Sequence, residues 1–177
     1  MAVQIGARPD SGFDDPIGML TDCHRRIERF LHILCRIAEQ AGERTLSAEE
    51  SEAVDAALRY FHESGPRHNS DEEESLFPRL RNTPAASVLG EVKRLEAEHH
   101  QAEALHKEAA ELFTRWQAEG ALHAGDRARL RAVTAKLAEI YREHIRLEEE
   151  VVFPCAARVL DPGTVAAIGE EFKARRA

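Results

Sequence analysis

The sequence predicts an all-α fold, an up-down-up-down four-helix bundle, on three observations. The strong helix formers Ala, Leu, Glu and Arg are abundant, and alternating β-branched runs are absent. Charged residues make up 32% of the chain and aromatic residues only 6%, a helical rather than a strand composition. Four long segments carry apolar residues at helical spacing and are separated by short breaks. At 177 residues the chain is expected to form one domain with a substantial core.

The first helix is expected to open at Asp15, with Pro16 in the first helical position, and to run to about Gln40 before Gly42. Its seam is Leu20, His24, Ile27, Leu31 and Leu34. The second is announced by Ser47 and Glu50 at capping-box spacing and carries Leu58 and Phe61. Gly65 and Pro66 should interrupt and kink it just before His68, after which it resumes to about Arg81. Thr83 and Pro84 signal the start of the third, with the seam Val88, Val92, Leu95, His99, Ala102, His106, Ala109 and Phe113. The fourth is expected after Asp126, with the seam Leu130, Val133, Leu137, Tyr141, His144, Glu148 and Val151, and a bend at Pro154. Residues 1–14 are expected to be a flexible N-terminus, 15–160 the bundle, and 161–177 a polar C-terminal tail with one minor helix.

Composition excludes several classes. The net charge is −8 and Lys and Arg are scattered, so no basic stripe is available for a phosphate backbone and nucleic acid is not an expected partner. No apolar run is long enough to span a bilayer, and the first residues lack a secretory layout, so no membrane association and a cytoplasmic location are expected. Cys23, Cys35 and Cys155 are too few and too far apart for a disulfide framework or zinc knuckle, and read as small apolar residues.

The pattern H-x-x-x-E-E-E-x-x-F-P occurs twice, beginning at His68 and at His144. In both copies His and Glu stand four residues apart, so His68 with Glu72 and His144 with Glu148 each share one helix face. His24 and His99 interrupt the seams of the other two helices. Burying carboxylates in an apolar core is costly without a positive partner. Imidazoles and carboxylates converging there are a natural donor set for iron, and zinc or manganese suit it too. The outer residues Asp71, Glu73, Glu74, Glu149 and Glu150 turn away from the seam in a regular helix and are expected to be solvated.

With these residues the chain resembles the hemerythrin-like HHE cation-binding domains, over about residues 15–158. The resemblance implies a non-haem centre of two iron ions with an oxo or hydroxo bridge, reactive toward dioxygen or peroxide. It implies His24 and His68 on one iron, His99 and His144 on the other, and Glu72 and Glu148 as bridging carboxylates. Ferritin-like ligation needs E-x-x-H on two helices, whereas here it occurs only at Glu96/His99 and Glu103/His106, both on the third helix.

The third helix departs from the oxygen-carrying hemerythrins, which place a second histidine where this chain has Glu103. That residue shares a face with His99 and His106 and is read as a ligand. A third carboxylate favours the ferric state, which argues against reversible oxygen carriage. His106 lies about 10.5 Å from His99 along the axis, too far for one iron, and is assigned to the core or to supporting contacts. Tyr141, one turn before His144, is a candidate for a supporting hydroxyl. Redox chemistry at the iron pair, including peroxide-decomposing or oxidase-type turnover, is the leading expectation; an oxygen- or iron-sensing module without turnover is the alternative.

Overall fold

A computed structural model describes residues 10–83 and 88–177. Its order is α1 (Pro16–Glu39), α2 (Ala48–Ser70), a π turn (Asp71–Leu76), α3 (Phe77–Arg81), α4 (Leu89–Glu119), α5 (Ala124–Leu147), a second π turn (Glu148–Val152), α6 (Phe153–Val159) and α7 (Pro162–Ala174). There is no strand among the described residues.

The start signals act as local chemistry requires. The Asp15 carboxylate accepts from the Gly18 N–H at 3.0 Å, with Pro16 behind it. Ser47 and Glu50 exchange side-chain-to-backbone bonds of 2.8 and 3.1 Å, a reciprocal cap that satisfies two otherwise orphaned donors. Helix α4 ends at Gly120, whose φ of 78° is left-handed and lets its N–H reach the Trp116 carbonyl at 3.0 Å. The expected Pro84 signal lies outside the described residues, and α5 begins two residues before Asp126, which sits in its first turn.

Helix α2 corrects one expectation: it runs through Gly65 and Pro66 without a break. The carbonyl that Pro66 leaves unpaired belongs to exposed His62, where water can take its place. The widening comes later and occurs twice. Phe77 N–H bonds the Glu72 carbonyl, and Phe153 N–H bonds the Glu148 carbonyl, each five residues back. Pro78 and Pro154 follow directly, and a wider turn relieves the clash of a proline ring with the preceding turn. The repeated motif thus encodes a repeated π turn.

Helices α1, α2, α4 and α5 form the bundle, with α1 packed on α2 and α5, and α4 on α5. The α2–α4 edge is the loosest and holds a cleft of about 920 Å³. The core has two apolar parts. One contains Ile27, Leu34, Phe113, Trp116 and Leu137. The other contains Leu20, Phe77, Leu95, Phe153, Ile168 and Phe172. Along α1 and α4 the boundary between them falls at His24 and His99, so a polar layer separates the two. Helix α7, expected to be minor, belongs to the second part: Ile168 and Phe172 are fully buried, each worth about 1.5–3 kcal/mol.

Candidate metal centre

Among the described residues, six buried side chains meet in the polar layer as two overlapping groups. His24, His68, Glu72 and Glu148 form one; Glu72, His99, His144 and Glu148 form the other. Within each group every residue offers a ligand atom within 4.8 Å of the others. Each histidine turns Nε2 inward toward a carboxylate.

The carboxylates span both groups. Glu72 directs Oε1 at His68 Nε2 (3.4 Å) and Oε2 at His99 Nε2 (3.3 Å). Glu148 directs Oε2 at His24 Nε2 (3.0 Å) and Oε1 at His144 Nε2 (3.3 Å). None of these four oxygens, nor His24 Nε2, has a hydrogen bond of acceptable geometry, although all are buried. Orphaned buried polar atoms are costly. A pair of cations between the facing donors would satisfy them all, so the residues fit a dinuclear metal site.

A second ring of carboxylates sets the histidine tautomers. Glu149 lies 2.9 Å from His24 Nδ1, Glu73 lies 2.6 Å from His99 Nδ1, and Glu98 lies 3.0 Å from His144 Nδ1. An Nδ1–H donating outward leaves Nε2 free for a metal and raises its basicity. Glu149 is itself held by Arg25, and Glu98 by Arg94 at 2.8 Å. Glu73 and Glu149 were expected to be solvated; the π turns bring them back toward the histidines. Glu74 and Glu150 do face solvent. Asp71 is another correction, being buried and paired with Arg175 and Arg176.

Protons hold the cluster together when no metal does. Burial, with the neighbouring Glu148 charge, drives the Glu72 carboxyl well above its usual range, and burial with His24 pushes His68 well below its own. Burial also opposes charge on Glu148 and His144. Their mutual attraction outweighs it, holding Glu148 well below the usual carboxylate range and lifting His144 to about 10. A cation entering the layer would displace these protons, so metal affinity should rise with pH.

The structure does not bring Glu103 into either group. Its side chain is exposed on the wall of the α2–α4 cleft, one turn beyond buried His99. The cleft between α2 and α4 opens there, so water can solvate the carboxylate, and nothing compels its burial. Among the described residues the two groups contain two carboxylates, Glu72 and Glu148. His106 stacks on Phe61 at 4.1 Å and shares a hydrogen bond of 3.0 Å with the Tyr141 hydroxyl, in keeping with a core role. Tyr141 packs edge-on to His144, with ring centroids 6.3 Å apart. His106, Tyr141, His99 and Glu73 all line the cleft, which gives small molecules a route to that side of the centre.

The free thiols Cys23 and Cys35 are half-buried and Cys155 is buried, none within either metal group. No helix among the described residues is long and apolar enough to cross a membrane.

Comparison with known proteins agrees with this geometry. The hemerythrin HHE cation-binding domain matches residues 15–156. An uncharacterized protein of Haemophilus influenzae is 26% identical over 168 residues, covering 93% of this chain and 91% of the relative.

Proposed function

Because the chain belongs to the hemerythrin HHE cation-binding domain family, and because two buried carboxylates each face two histidines, one from each group, we propose that it holds two non-haem iron ions and reacts with dioxygen or peroxide. The observation that carries this reading is the split aim of Glu72 and Glu148, one oxygen toward each group. His24 and His68 would hold one ion, His99 and His144 the other. Once bound, the iron pair supplies two electrons for reduction of dioxygen or peroxide.

The chain's own residues do the remaining work. Glu149, Glu73 and Glu98 orient three imidazoles and keep a proton on each Nδ1. Phe153 stacks on His24 at 5.4 Å and Phe77 on His99 at 6.5 Å, excluding water from one side of the layer. The cleft admits small neutral molecules beside Tyr141. A cytoplasmic location suits this reading.

The test is to load the protein anaerobically with Fe(II), then mix it with dioxygen or hydrogen peroxide and follow visible absorption and oxidant consumption. The proposal expects absorbance changes and consumption that scale with iron content. Iron-loaded protein that stays inert to both oxidants would leave a binding module without redox function.

A further inference from the structure

The two copies of the repeat differ at positions that carry a second message. Where the second copy has Leu147 and Val151, the first has Asp71 and Ser75. Leu147 is an ordinary buried apolar residue, but Asp71 is a fully buried carboxylate directly beside Glu72. A buried charge of this kind is tolerated only when paired. Its partners come from the segment just beyond α7. Asp71 Oδ1 accepts from Arg175 at 2.9 Å, and Oδ2 from Arg176 at 2.5 Å. Arg175 also donates to the Ser75 hydroxyl at 2.7 Å. Both of these polar residues of the first copy are thus held by Arg175, with Arg176 adding to Asp71, and they lie on the π turn that carries Glu72.

We infer that Arg175 and Arg176 are positioning residues for the metal centre: they hold the Asp71–Leu76 turn so that Glu72 faces both ion positions, and docking of α7 and metal occupancy strengthen each other. The inference rests on the proposed metal binding. Without the guanidinium groups, Asp71 would be an unpaired buried charge next to another carboxylate. The turn would shift to hydrate it, carrying the Glu72 oxygens out of line. Among the described residues no arginine pair holds the second turn in this way; Glu148 is steadied through His24, Glu149 and Arg25 instead. Because coupling between two sites is reciprocal, a metal that straightens Glu72 must also favour the docked α7.

The test uses Co(II) as a spectroscopic probe on the full chain. The double variant Arg175→Gln/Arg176→Gln should bind Co(II) about 10–100-fold more weakly, the usual cost of losing a group that orients a ligand. Glu170→Gln is the control: it cuts an exposed α7 ion pair, to Lys173 at 3.8 Å, without touching Asp71 or Ser75, and should leave affinity within about twofold. Amide exchange in α7 should slow on Co(II) binding in the parent protein and be insensitive to it in the double variant. Parent-like Co(II) affinity in the double variant, even with faster α7 exchange, would reduce the arginines to a structural role and overturn the inference. Should the double variant not fold, Arg175→Gln alone carries the test, with several-fold weaker binding expected and unchanged affinity overturning it. A parent protein that binds no Co(II) and no Fe(II) would instead remove the metal reading itself, and the inference with it.

Discussion

Replacing Glu148 by Gln keeps the shape of the side chain and removes the charge that holds the metal-free cluster together. Glu148 is fully buried, 3.3 Å from His144 and 3.0 Å from His24. Burial opposes a charge on His144, yet Glu148, with help from Glu98, lifts its pKa from 6.5 to about 10. At about 1.36 kcal/mol per pKa unit this is on the order of 4–5 kcal/mol. That agrees with the roughly 3–5 kcal/mol lost when one partner of a buried pair is removed. The depressed pKa of Glu148 reports the same interaction and is counted once. The folded state binds the His144 proton more tightly than the unfolded state. Its stabilisation is therefore complete below pH 6.5 and is lost as pH rises through about 10. Urea unfolding of chelator-treated protein at pH 6, 8 and 9.5 measures this. The parent should weaken steadily across the range, whereas Glu148→Gln should start about 3–5 kcal/mol less stable and stay nearly flat. A variant with the parent's slope and stability would refute the assignment of the buried charge to this pair.

Three other outcomes follow from the same geometry. Glu98→Ala should weaken metal binding about 10–100-fold by releasing His144 Nδ1, whereas Glu103→Ala should leave it unchanged; calorimetric titration of both variants distinguishes a supporting carboxylate from an exposed one. Burial lowers the His106 pKa to about 4, so folding stability tied to its neutral ring is present above pH 6.5 and lost as pH falls through 4. His106→Gln should remove about 2 kcal/mol of the stability difference between pH 7 and pH 4, after allowance for solvent in the cleft. A metal present at about a hundred times its dissociation constant adds about 2.7 kcal/mol, or roughly 5–10 °C in melting temperature for a chain of this size. Chelation should abolish that increment, and His144→Ala should shrink it.

The bundle is legible in the sequence because each long helix has a continuous apolar seam with one polar interruption. A histidine that takes a leucine's place on such a seam must find a partner inside the core. His24, His68, Glu72, His99, His144 and Glu148 were all readable from seam position and i, i+4 spacing. Glu103, selected by the same rule, stands outside the two groups: periodicity tells which residues share a face, but not where a cleft between two helices admits water. The π turns were hidden because helical periodicity assumes a uniform turn. A π turn advances each residue by a smaller angle, which kept Glu73 and Glu149 near the histidines rather than in solvent. Glu98 supports a histidine on a different helix, a relation that no local spacing reveals. For Asp71 a signal did exist, a charged residue standing where the second copy of the repeat has leucine. Its meaning depended on Arg175 and Arg176, about a hundred residues away in the chain.

In the proposed centre two carboxylates join two metal positions in one buried layer. Crystals of iron-loaded protein, measured on both sides of the iron absorption edge, test it most directly. Two anomalous peaks should appear, one among His24, His68 and the two carboxylates, the other among His99, His144 and the same carboxylates, with Glu103 in contact with neither. A single peak, or a peak held by Glu103, would contradict it.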